Sequence, residues 1–379
     1  MTHTMLDHAS KLLKNKFNTD IHLELLDTVY DYDDSPSTLI RCATQARNSS
    51  LPKTLIIKRF NKVNDSLLYE LCALEFLADL SPNLAPHLYA YDTKQKLIIL
   101  EDLGDADKHL LGNILFGNDS AYAENALIEF NKALAQLHLT TQGKEKQWQQ
   151  LLGKQGNPSN VSRHRINHIQ QAIIDLPERF QEIGISISEN TQNDLNQALQ
   201  CIANPQQFLS LVHGDSTPAN AFYRTGKIKL LDFETSNFRH CLLDGSYSRL
   251  RYLHSVWARE IPVRVQRKSM TAYTDIFLAH TQLDKTLFDY HLGASCVAWL
   301  AGLFVLLPTT IEKDKKWGRS TNRQRLVTGL QHFIVIADEY SQFHALRDAC
   351  LEAEQKLRRM WSEEDCTMRL YPAFVDSNA

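Results

Sequence analysis

Near Gly104 this chain passes from mostly strand-like apolar spacing to mostly helical spacing, and that change limits the layouts it can adopt. Ahead of it, short β-branched or apolar runs alternate with breakers. Residues 21–26 and 38–43 read as paired strands across the turn-rich DYDDSPS, and 54–60 (TLIIKRF) reads as a third. Leu67, Leu68, Leu71, Leu74 and Leu77 then fall at helical spacing, predicting a helix that ends near Ser81-Pro82. Residues 84–91 and 96–100 add two more strands. Beyond Ala106 helical patterns dominate, as in 121–139 and 161–174, and they resume from Asp244 to Cys366. One strand-rich island, 208–233, interrupts them. The expectation is an α+β, bilobal chain: a small antiparallel-sheet lobe over 1–104 and a larger helical lobe over 105–379.

With 379 residues, 43% of them hydrophobic, the chain can bury a large core. A formal net charge of -3 leaves no basic stripe of the kind a phosphate backbone requires, so no nucleic-acid partner is expected. The 7 cysteines form no C-x-x-C pair, which argues against a disulfide framework or a zinc ribbon and fits a reducing cytoplasm. The apolar stretch 292–307 is shorter than the roughly 20 residues that span a bilayer, and Pro308 ends it. It is expected to be a core helix, and no membrane partner is expected.

The chemistry concentrates in 210–234, SLVHGDSTPANAFYRTGKIKLLDFE. An apolar run stops at His213-Gly214-Asp215, Asn220 follows five residues after Asp215, and two short strands turn at Thr225-Gly226 before Asp232 and Glu234. A hairpin returns its ends to one place, which can gather Asp215, Asn220 and Asp232. Phosphoryl transfer from ATP needs such a set, because its transition state spreads charge over oxygens and catalysis is positioning plus electrostatics. Mg2+ takes oxygen ligands, here the Asp232 carboxylate and the Asn220 carbonyl. Asp215 is then the acceptor for the proton of the attacking hydroxyl. Any one of these residues alone is more simply a turn or cap residue.

HGDSTPAN followed by LLDFE resembles the catalytic and metal-binding signature of the aminoglycoside phosphotransferase and choline kinase-like family, which shares the protein kinase fold. The resemblance implies catalysis by Asp215 and Mg2+ ligation by Asn220 and Asp232. It makes His213 a loop-organising residue and Asp244 a brace for the catalytic loop, and it leaves Glu234 near metal, near substrate or merely structural. Lys58 in TLIIKRF resembles the family lysine that meets nucleotide phosphates, with Glu70 (rather than Glu75) as its ion-pair partner. KLIILEDLG resembles the hinge whose backbone at Glu101, Asp102 and Leu103 meets adenine. His138 in ALAQLHLTTQ resembles a helix end beneath the catalytic loop. The phosphate-covering loop departs from the usual pattern: 31–37 has no glycine, carries Asp33 and Asp34, and offers Ser35 and Ser37 as donors. The ordered likeness runs from about residue 21 to 253.

The implied acceptor is a small molecule bound after Glu234, where Tyr247, Arg251, Tyr252, Trp257, Arg259, Glu260 and Trp299 precede or flank the basic run EKDKKWGRSTNRQR. That run is most simply a solvated loop and helix start, with an anionic-substrate or regulatory contact as the lesser reading. A polycationic acceptor calls for carboxylates, and Lys plus Arg slightly outnumber Asp plus Glu after Gly245. A quaternary amine calls for an aromatic cage, to which Tyr252, Trp257 and Trp299 can contribute, although aromatics at helical spacing are more often core residues than ligands. Two other readings stand beside the small-molecule kinase. A protein kinase is disfavoured by the lack of H-R-D, D-F-G and A-P-E segments. A non-catalytic kinase-like nucleotide-binding module is favoured only by the glycine-free loop.

Overall fold

Thr2–Phe17 (α1) places Met5, Leu6, Ala9 and Leu13 on one face, and that face is buried. This computed structural model describes residues 2–30, 36–46, 51–61, 65–156 and 161–375. The chain forms two compact units. The first runs from Met1 to Ala106 and also takes in Lys146–Ser159 and Lys229–Ser236, whereas the change in apolar spacing alone marks only Gly104. The second comprises Asp107–Glu145, Asn160–Ile228 and Asn237–Ala379.

In the first unit, β1 (Ile21–Tyr30), β2 (Ser37–Ala46), β3 (Thr54–Phe60), β4 (Leu88–Asp92) and β5 (Leu97–Glu101) form one antiparallel sheet in the order β1-β2-β3-β5-β4. Leu23, Ile40, Leu55, Ile57 and Ile99 share a core with the apolar face of α1. Side chains alternate along a strand, so Lys58 points away from the face of Leu55 and Ile57. There it meets α2 (Ser66–Leu80), a helix in which Leu67, Leu71, Leu74 and Leu77 are buried together with Glu70.

The second unit is helical: α3 (Ala106–His109), α4 (Leu111–Leu115), α5 (Ser120–Thr141), α6 (Glu145–Gln155, mostly assigned to the first unit), α7 (Val161–Glu182) and α8 (Glu189–Ala203) come first. The strands β6 (Leu209–Val212), β7 (Ala221–Arg224), β8 (Lys227–Leu230, its last two residues assigned to the first unit) and β9 (Asn237–His240) follow. After them come α9 (Leu242–Gly245), α10 (Val263–Thr281), α11 (Lys285–Phe304), α12 (Leu307–Glu312), α13 (Asn322–Tyr340) and α14 (His344–Met360). β6 and β9 pair antiparallel with Val212 opposite Asn237, so the stretch after Val212 leaves a fixed strand end. Among the described residues α11 is the helix long and apolar enough to cross a membrane, and 67% of that apolar window is buried in the protein. Its core includes Leu292, Val297, Leu300 and Phe304, packed with Leu326 and Leu330 of α13. Pro308 lies in the first turn of α12, where its missing N–H costs no helical bond.

Candidate active site

The first unit assembles a buried charge cluster from β3, α2 and the segment after β8. Lys58 Nζ donates to Glu70 Oε2 at 2.5 Å and to Asp232 Oδ1 at 2.6 Å. The Lys58 and Glu70 side chains are almost fully enclosed, while the Asp232 side chain is 39% exposed. Burial opposes the charge on Lys58, yet Asp232 and Glu70 hold it above the ordinary lysine value. Burial pushes Glu70 up to about 7 against the pull of Lys58, and Asp232 and Glu234 push it the same way. Helical geometry decides between the two glutamates: Glu75 instead accepts from Gln155 Nε2 at 3.0 Å. Asp232 adopts a left-handed backbone conformation, φ 62°, which is uncommon outside glycine.

At the end of β5, Glu101 donates its N–H to the His87 carbonyl at 2.9 Å. Its carboxylate accepts from His87 N–H at 3.0 Å and from Lys229 Nζ. The Glu101 N–H is therefore committed within the protein. The Asp102 carboxylate, 5% exposed, pairs with Arg41 Nε at 3.0 Å and accepts the Gly104 N–H at 3.0 Å. Arg41 also donates to the Gly104 carbonyl at 2.5 Å. This clamp fixes 102–104, and Arg41 carried no sequence signal because it lies 61 positions away. Ser37 is buried as the first residue of β2, opposite Phe60, and Ser35 lies outside the described residues.

In the second unit, the turn after β6 is built around a buried carboxylate. Asp244 Oδ2 accepts the His213 N–H at 2.5 Å, and Oδ1 accepts the Gly214 N–H and Ser216 Oγ, each at 3.2 Å. His138 Nε2 lies 3.5 Å from Oδ2, and its Nδ1 lies 2.7 Å from the Tyr273 hydroxyl. An ionised carboxylate can only accept, so His138 Nε2 is the donor to Asp244. Burial works against ionisation of Asp244, but His138, His213 and the loop N–H groups outweigh it and hold the carboxyl below the usual range. Gly214 has φ 78°, the left-handed conformation this turn requires.

That braced turn presents Asp215. Its N–H donates to His213 Nδ1 at 3.3 Å, so the fully buried His213 organises the loop. Asn220 Nδ2 donates to the Asp215 carbonyl at 2.9 Å and to its Oδ2 at 2.8 Å. With Nδ2 used in this way, Oδ1 is the Asn220 atom suited to a cation. Among the described residues no group of three His, Cys, Asp or Glu side chains is set to hold a metal. Mg2+ bound through one carboxylate, one amide oxygen, phosphates and water does not need such a group.

The aromatic candidates fall differently. Tyr252 is 1% exposed, wedged near Phe130 and Tyr247, so it is a core residue and not a cage wall. Trp299 stacks on Tyr247 at 4.2 Å and donates Nε1–H to the Leu243 carbonyl at 2.7 Å, which uses its polar edge internally. Trp257 is half-buried and meets Phe116 edge-on at 5.5 Å.

No family model matches the chain, and no curated protein matches it in sequence. Among solved structures it is similar to choline kinases and aminoglycoside phosphotransferases. The streptomycin–ATP ternary complex of APH(2")-IIa is 15% identical with a TM-score of 0.47, covering 91% of this chain and 98% of that one. The choline kinase from Cryptosporidium parvum Iowa II is 12% identical with a TM-score of 0.48, covering 94% and 99%. A choline/ethanolamine kinase family protein from Mesorhizobium loti is 12% identical with a TM-score of 0.46, covering 91% and 99%.

Proposed function

We propose that this chain is an ATP- and Mg2+-dependent phosphotransferase that moves the γ-phosphoryl group to a hydroxyl of a small molecule. The observation that carries the reading is Asp215, a carboxylate held by the Asn220 amide on a turn anchored to buried Asp244. A general base must be held in position, and this one is fixed on both sides. Asp215 takes the proton of the acceptor hydroxyl as its oxygen bonds to the γ-phosphorus and the bond to ADP breaks. Lys58 meets the nucleotide phosphates, and Glu70 keeps its ammonium in place. Asn220 and Asp232 are the ligands for Mg2+, which supplies charge neutralisation on the phosphates. Glu234 adds negative charge to the Lys58 cluster.

The test is a mass-shift screen of purified protein with Mg-ATP over hydroxyl-bearing metabolites and antibiotics. Asp215→Asn is expected to slow transfer by about 10²–10⁴-fold while leaving the fold intact. Full transfer by that variant, or no nucleotide binding by the parent protein in calorimetry, sinks the reading.

A further inference from the structure

Three arginines that lie far apart in sequence are gathered in the helical unit by backbone contacts. The Arg319 N–H donates to the Val256 carbonyl at 2.8 Å. Gly318, with φ 64°, permits this approach, since a Cβ there would lie 2.0 Å from the same carbonyl. On the other side Glu260 bridges in parallel with Leu370. The Glu260 N–H donates to the Arg369 carbonyl, and the Glu260 carbonyl accepts the Tyr371 N–H, each at 2.9 Å. Side chains alternate along extended backbone. Glu260 therefore turns its carboxylate to His332 at 2.6 Å and Arg251 at 3.5 Å, away from the side chain of Arg259. Arg259 is crowded instead by Arg369 and Arg319, which add to burial in lowering its basicity.

The Arg319 guanidinium lies 4.8 Å over Phe116 and 5.6 Å over Trp257. Among the described residues, none of the three guanidiniums donates a hydrogen bond or has a carboxylate within ion-pair distance. Like charges held together without a counter-ion repel, and the repulsion is relieved by an anion. Guanidinium forks fit the oxygens of a phosphate, and three of them suit a dianion better than a single carboxylate. The cluster connects to the Asp215 turn through Trp257 and α4. The Trp257 ring lies against Gly112 of α4, where a Cβ would be 3.0 Å away, and α4 packs on the Pro218–Asn220 turn.

Resting on the phosphotransferase reading, we propose that the acceptor carries a phosphate group, gripped by Arg259, Arg319 and Arg369 beside Trp257. A cationic acceptor is repelled here, and the hydroxyl it offers to Asp215 belongs to a phosphorylated small molecule.

Two arms test this on the full chain. Inorganic phosphate, titrated calorimetrically without nucleotide or metal, is expected to bind with at least tenfold loss of affinity in Arg319→Ala and in Arg369→Ala. Both side chains are exposed, so the core is untouched, and Arg319→Lys should restore part of the loss. In the second arm, matched polyols bearing a phosphate ester, a carboxylate or neither are offered with Mg-ATP. The phosphate ester should show at least a tenfold lower KM, an advantage removed by Arg319→Ala. Equal phosphate affinity in the parent and both variants overturns the proposal, as does a preferred carboxylate, neutral or cationic acceptor. If nothing is phosphorylated the phosphotransferase reading fails, and the phosphate titration still decides the arginine cluster.

Discussion

Asp244→Asn changes one oxygen to an amide nitrogen and keeps the shape. In the parent, Oδ2 receives the His213 N–H and His138, and Oδ1 receives the Gly214 N–H and Ser216. Whichever way the new amide turns, its NH2 faces one backbone N–H, from His213 or Gly214. Ser216 can rotate to accept, but a backbone N–H cannot. Stranding it costs about 1–3 kcal/mol, and the bonds that remain change from charge-assisted to neutral, roughly halving their strength. The expected loss is about 3–5 kcal/mol, a large part of the roughly 5–15 kcal/mol that stabilises a typical domain. Amide hydrogen exchange reads it locally: protection at His213 and Gly214 should fall by about two to four decades. Because the Asp244 carboxyl is held below its ordinary range, the parent's advantage is fully present above that range. It fades only as pH falls through the lowered folded-state value. A loss under about 1 kcal/mol by urea unfolding, with unchanged exchange at both amides, refutes the account.

Two further perturbations address the Lys58 cluster. Lys58→Met leaves Glu70 and Asp232 without their cation and should destabilise by a few kcal/mol (about 3–5 for a broken buried pair), whereas Lys58→Met with Glu70→Met should recover most of it in urea unfolding. An additive double variant would show that the pair is not coupled. Glu70→Gln should flatten the pH dependence of stability between 4.5 and about 7, because a raised carboxyl contributes stability below its unfolded value and loses it as pH rises through the folded one. Parallel urea midpoints for parent and variant at pH 5 and pH 8 contradict this.

Much of this arrangement is legible in the sequence where local chemistry dominates. The β-branched run TLIIKRF forms a strand with the expected bounds, Thr54–Phe60, and period-two alternation turns Lys58 from the core face. The i+3 and i+4 spacing of α2 leucines gives the helix that carries Glu70. The helix α1 is not among the elements read from the sequence, although its Met5, Ala9 and Leu13 lie on one buried stripe. What stays hidden depends on contacts distant in sequence. The Asp102–Arg41 clamp, the four-residue pairing of β6 with β9, and the meeting of Arg259, Arg319 and Arg369 have no local signature. Tyr252, one of three aromatics open to a cage or a core reading from the sequence, is a core residue: φ is positive at Arg251 and Tyr252 and the ring is buried.

Asp244 and Glu70 are buried to the same degree, at 2% exposed each, and their carboxyls move in opposite directions. Asp244 is surrounded by donors, two of them rigid N–H groups, so its charge is fixed. Glu70 has one cation, which it shares with Asp232, and two like-charged neighbours. With its value near 7, its charge follows the potential around Lys58. Metal-free ATP or ADP placed at Lys58 adds negative charge beside Glu70 and must raise its value further. Binding near pH 7 should then take up a proton. Calorimetric titrations with metal-free nucleotide, run in buffers of different ionisation enthalpy, should show heats that vary with the buffer in the direction of uptake. Glu70→Gln should remove that dependence. Equal heats in all buffers for the parent protein would mean that nucleotide phosphates do not approach Lys58.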